Sequence, residues 1–204
     1  HIAVTSLWIL PVIRRGAAIR ILFMLASAGA HVYLSWLFNF EWTLTSPNAI
    51  DGGPLGFLTW TIPAIVGTLA CDLVVNRQGW TRVLGMFAGA VLLMALGWGI
   101  SCGTRLYDVD PERVASGEIP RIAEHPVIPP ASAWQGRDWR DLLAEPPFVP
   151  PPDEQHRQWN YWMMSQRAGT LSYLTFSAGF ALLVYAMFYI ACDVLGLQLG
   201  LFRT

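Results

Sequence analysis

Four long apolar runs constrain this chain more than any other feature: Ala17–Phe38, Leu55–Val75, Val83–Ser101 and Thr170–Leu195. Each is near or above the ~20 residues an α-helix needs to cross a ~30 Å hydrocarbon core. A segment in lipid must satisfy its own backbone hydrogen bonds, which leaves helices or closed barrels, and runs of this length select helices. The predicted fold class is all-α, a polytopic membrane helix bundle with one long Pro-rich extracytoplasmic loop. Composition agrees: 54% of the 204 residues are hydrophobic and 13% are charged, about half the charged share of a soluble domain.

Charge placement predicts the orientation. Arg14, Arg15 and Arg20 cluster at the start of the first full span, Arg77 and Arg82 flank the turn between the second and third, and Arg203 follows the last. The connection 39–54 has no basic residue and carries Glu41 and Asp51. The positive-inside rule therefore puts the arginine-bearing turns in the cytoplasm and the long connection outside. The resulting layout is the end of a truncated membrane helix at 1–13, spans at 17–38, 55–75 and 83–101, a Pro-rich loop at 102–166, a span at 168–195, and the start of another connection at 196–204. The half-length helix "HIAVTSLWILPVI" and the stop just after a helix exit lead to the expectation of a fragment of a longer protein.

All 13 basic residues are arginine and the net charge is −1, so a Schiff-base or P-loop lysine is excluded from this segment and electrostatics offers nothing to nucleic acid. The cysteines Cys71, Cys102 and Cys192 form no metal or disulfide pattern. Hydrolase, Walker and dinucleotide signatures do not occur.

Ten of the 14 prolines lie between Pro111 and Pro152, a density that favours extended polyproline conformation. Between the proline clusters, "SAWQGRDWRDLLAE" reads as one short amphipathic helix with Trp134 and Trp139 at the membrane interface, and Trp159 and Trp162 read as further interfacial anchors. The loop is either a solvated tether or a lid over an outer site. Within the spans, Gly85-x-x-x-Gly89 and Ala26-x-x-x-Ala30 read as close-packing faces, and Pro63 as a kink.

Few polar groups at membrane depth qualify as functional. His31 reads either as a proton-transfer or ligand-binding group or as a histidine bonded to a backbone carbonyl. Asp72 and Asp193 read as boundary residues. Asp51 heads a Gly-Gly-Pro turn into a span, which reads as a helix-start signal or as one wall of an outer pocket. Gln166 and Arg167 fall on the same membrane side, so the three could share that pocket.

Two stretches resemble a known family. "DGGPLGFLTWTIPAIVGTLACD" is similar to the Asp-Pro-Glu-Gly segment of transmembrane sugar acetyltransferases through Asp51, Gly53 or Gly56, Leu58, Ile62-Pro63-Ala64-Ile65 and Gly67. "SQRAGTLSYLTFSAGFALLVYAMFYIACDV" is similar to a later helix of the same family through Gln166-Arg167, Ser172-Tyr173, Ser177-Ala178-Gly179 and Asp193. The family is that of heparan-α-glucosaminide N-acetyltransferase and its bacterial relatives. Here Asp-Gly-Gly-Pro stands for Asp-Pro-Glu-Gly, Gln-Arg stands for Asn-Lys, and the outer loop is longer.

The resemblance implies a bacterial inner (cytoplasmic) membrane enzyme that moves an acetyl group from cytoplasmic acetyl-CoA to an extracytoplasmic sugar amine or hydroxyl. It implies a catalytic histidine outside this segment, with Asp51, Gln166, Arg167, Tyr173 and His31 as candidate substrate-binding residues. The expected partners are the lipid bilayer and a carbohydrate acceptor, without nucleic acid, and a homo-oligomer is left open. The alternative is a non-catalytic membrane protein of that family whose loop docks a partner; a transporter is a third reading, but no span carries an ion-binding cluster.

Overall fold

A computed structural model describes residues 2–150 and 156–197; Arg203, Pro151, Pro152 and most of the connection 196–204 lie outside the described residues. The elements are α1 (Ile2–Ile9), α2 (Ala17–Leu34), a π-turn (Ser35–Asn39), α3 (Phe40–Thr45), α4 (Phe57–Asn76), α5 (Trp80–Ser101), α6 (Pro111–Ala115) and α7 (Leu171–Tyr189). Short 3-10 turns occur between them, and among the described residues extended pairing is limited to two isolated bridges. Four helical stretches are long and apolar enough to cross a membrane: Ala17–Thr45, Gly53–Asn76, Trp80–Tyr107 and Leu171–Val194. The chain is an all-α membrane helix bundle.

The first span departs from its expected end at residue 38. The π-turn carries the helix on to Thr45, about 43 Å in all at 1.5 Å per residue, longer than a ~30 Å hydrocarbon core. Large side chains on its outer surface, among them Leu22, Leu25, Trp36 and Phe38, are exposed, as a lipid-facing surface requires.

The core lies where α4, α5 and α7 meet, around Ile62, Val66, Met86, Ala90, Leu174 and Leu182. The closest approach is between α5 and α7. A β-carbon on Gly97 would stand 2.5 Å from the backbone nitrogen of Phe176, and one on Gly179 would stand 2.7 Å from the Ala90 carbonyl oxygen. Small residues thus set this crossing, as they do where lipid removes the hydrophobic drive between helices. The expected faces contribute less: Gly85 and Gly89 meet only side chains, and Ala26 and Ala30 are exposed. Helix α4 continues through Pro63. At the other edge, Ile9 of α1 and Val12 in the turn after it pack onto Ile65, and the Trp8 indole donates to Ser27 Oγ at 3.0 Å.

The helix directions gather Arg14, Arg15, Arg20, Arg77 and Arg82 at one end and the long loop at the other. At the arginine end the buried Arg20 pairs with Asp72, and Arg82 donates to the Tyr189 hydroxyl at 2.5 Å. Asp193 is exposed in the π-turn that closes the last span.

The described part of the loop has a core of its own, which corrects the solvated tether. Leu106, Tyr107, Ala123, Val127 and Tyr161 are buried within it. Residues 132–145 do not form one amphipathic helix. They make two separate 3-10 turns, Ala131–Trp134 and Trp139–Leu142, because Gln135–Asp138 includes Gly136 at φ 74°, a left-handed conformation that ends helical repetition. Trp162 is likewise no membrane anchor: its indole donates to the Val127 carbonyl at 2.9 Å and its ring packs edge-on against Tyr161.

Candidate functional site

At the loop end, the turn before α4 crosses the turn before α7. Asp51, Gly52 and Gly169 all have positive φ, at 52°, 86° and 58°. A β-carbon on Gly169 would lie 2.7 Å from the Gly52 α-carbon, so only glycine permits this approach. The crossing is then bonded from every side: Gly52 N–H donates to the Arg167 carbonyl at 3.0 Å, Thr59 Oγ to the Gly169 carbonyl at 2.8 Å, and Asn39 Nδ2 to the Gly52 carbonyl at 3.3 Å. The Trp60 indole donates to the Asp51 carbonyl at 3.2 Å. Asp51 is the one non-glycine described residue in the left-handed region, where Asp is tolerated better than most residues.

The structure brings together three of the five candidate residues. Gln166 Nε2 donates to Asp51 Oδ1 at 3.3 Å, and both side chains reach the surface. Arg167 stands beside them with a different occupation. Its guanidinium donates to the carbonyls of Thr43 at 3.1 Å, Leu44 at 3.4 Å and Ser46 at 2.8 Å, which are left without helical partners at the end of α3. A cation at a helix C-terminus also offsets the negative end of its dipole. Arg167 is thus the cap that ties the last span to the first.

His31 lies deeper. It is 0% exposed, and its Nδ1 is 2.9 Å from the Tyr161 hydroxyl, which replaces the backbone carbonyl of one of its two readings. Burial pushes the Tyr161 phenol well above the ordinary tyrosine range, so it stays a neutral hydrogen-bonding group. His31 belongs to a seam that the sequence reading missed: Ser27, His31, Ser35, Asn39 and Thr43, every fourth residue, all buried. Four residues overshoot an α-helical turn of 3.6 by about 40°, so such a stripe drifts around a regular helix. The wider π-turn at Ser35–Asn39 reverses the drift and keeps Asn39 and Thr43 on the inner face. The repeating polar residue in an apolar run was the available signal.

Two polar atoms on this seam, His31 Nε2 and Asn39 Oδ1, have no hydrogen-bond partner among the described residues. Tyr173 is elsewhere. It lines an apolar groove of about 560 Å³ with Met94, Phe148, Met164, Phe176 and Phe180, a lining that does not include Asp51, Gln166 or Arg167.

The loop is closed by four charges. Arg105 meets Asp108 at 3.1 Å and Glu145 at 2.7 Å; Arg157 meets Asp108 at 2.5 Å and Glu145 at 3.2 Å. Burial alone would raise the Glu145 carboxyl, but the hydrogen bond from Arg157, with the charges of Arg157 and Arg105, holds it below its usual range.

No known protein family, curated protein or solved structure matches this chain.

Proposed function

We propose that the chain is part of an integral membrane acyltransferase of the bacterial inner membrane, moving an acetyl group from cytoplasmic acetyl-CoA to an extracytoplasmic sugar amine or hydroxyl. One observation carries the reading. The two stretches that resemble the acetyltransferase family are the two that cross at Gly52 and Gly169, and their exposed polar groups, Asp51 and Gln166, meet there. In this reading the loop end is extracytoplasmic, and Asp51 and Gln166 form a rim that binds acceptor hydroxyl or amino groups. Asp51 accepts their protons in hydrogen bonds and Gln166 fixes its rotamer. The base that deprotonates the acceptor lies outside this segment.

A second reading, a non-catalytic relative whose loop docks a partner, is favoured by Arg167, whose Nε and Nη2 donors serve backbone carbonyls. The test is acetyl transfer by the intact protein in vesicles, with labelled acetyl-CoA on the arginine side and hexosamine or hexose acceptors on the loop side. Transfer that falls at least tenfold in Asp51→Asn, with folding unchanged, is the expected result. A folded, inserted protein that transfers no label overturns the enzyme reading.

A further inference from the structure

A pocket of about 390 Å³ opens at the loop end, lined by Leu44, Arg121, Ile122, Trp159, Ser165 and Arg167. Its lining holds two guanidinium groups and no carboxylate. Arg121 makes no ion pair among the described residues. Its guanidinium lies over the Trp159 ring, 6.0 Å from the centroid, a contact that orients a cation without neutralising it. The backbone holds the two together: Trp159 N–H donates to the Arg121 carbonyl at 2.9 Å, and Ala123 N–H donates back to the Trp159 carbonyl at 3.2 Å. Across the pocket, the Nε and Nη2 atoms of Arg167 are bonded to the end of α3, which leaves Nη1 for a ligand.

Depth identifies the ligand. The buried Arg20 pairs with Asp72 at the arginine end of the first span, and a 30 Å core measured from there takes about 20 residues, ending near Phe40. Leu44 stands about 6 Å further out, at the level of the lipid headgroups. Exposed Trp42 lies within about 3 Å of that level, where interfacial aromatic residues are expected. A pocket of two guanidiniums at headgroup depth matches a phosphate, to which arginine binds through paired N–H donors.

We propose that this pocket binds the phosphate of an anionic lipid in the leaflet on the loop side. The inference is independent of the acyl-transfer reading.

The experiment measures thermal unfolding of the full chain, by tryptophan fluorescence, in phosphatidylcholine nanodiscs with increasing phosphatidylglycerol. Phosphatidylglycerol is expected to raise the midpoint in a saturable way. Arg121→Gln is expected to keep the midpoint in pure phosphatidylcholine and to need roughly tenfold more anionic lipid for the same rise, the loss of one charge-assisted contact. Arg140→Gln, at an exposed arginine that also lies over a tryptophan, is expected to behave as the parent. If Arg121→Gln lowers the midpoint even in phosphatidylcholine, Arg121→Lys supplies the test, with an intermediate lipid requirement expected. An unchanged lipid response in the Arg121 variants overturns the proposal. So does an equal loss in Arg140→Gln, which marks bulk surface charge, or an equal rise with free inorganic phosphate, which marks a soluble-ion site.

Discussion

Gly169 lies so close to Gly52 that a β-carbon on it would stand 2.7 Å from the Gly52 α-carbon. Through this contact the turn before the last span is locked to the turn before the second. Gly169→Ala adds a backbone clash to a positive φ, and is expected to destabilise the protein by about 2–3 kcal/mol. Denaturant unfolding in mixed micelles measures it; a loss below 0.5 kcal/mol would mean that the turns are free to part.

His31 and Tyr161 are coupled across 130 positions by one bond of 2.9 Å. Tyr161→Phe leaves His31 Nδ1 with only the long 3.5 Å contact to Ser35, and the expected loss is about 1–3 kcal/mol, the cost of an unsatisfied buried polar group. His31→Phe should lose a similar amount, and the double variant should lose less than the sum. Strict additivity in this double-mutant cycle would sink the coupling.

Arg167 acts through the geometry of its fork. Arg167→Lys keeps the charge but cannot reach three carbonyls at once, and is expected to lose about 1–2 kcal/mol of stability. The check is hydrogen exchange at the end of α3, residues 43–46, which should quicken in Arg167→Lys. Full protection there would leave the capping role without support.

The loop clasp sets a pH dependence. The Glu145 carboxyl is held below its ordinary range, so its contribution to stability is fully present above that range and is lost as pH falls through the depressed value. Asp108, Asp110 and His156 line the same cavity, so Glu145→Gln isolates the glutamate. Limited proteolysis within residues 108–160 is expected to stay constant from pH 8 down to the ordinary glutamate range, then accelerate. Glu145→Gln should be cleaved faster already at pH 7. Equal cleavage of variant and parent at pH 7 would show that the clasp does not hold the loop.

The fold class and the four spans were legible from the apolar runs alone, because a bilayer leaves a 20-residue apolar run few other solutions. The meeting of Asp51 with Gln166 and Arg167 was legible as a shared membrane side, since alternating spans return chain-distant turns to the same face. The seam was legible in principle from Ser27, His31, Ser35, Asn39 and Thr43, but a four-residue polar repeat drifts off a regular helix, and no local signal announced the π-turn that holds it in place.

By itself the sequence determined that the chain crosses a membrane several times, which ends carry the arginines, and which turns could face each other. Those properties follow from hydrophobicity and charge, which each residue carries wherever it lies. Tertiary structure alone decided that Arg167 caps a helix, that His31 pairs with Tyr161, and that the described part of the proline-rich loop packs into a core of its own. Hydrogen bonds and van der Waals contacts extend only a few ångströms, so partners more than 100 residues apart are chosen by where the helices deliver them.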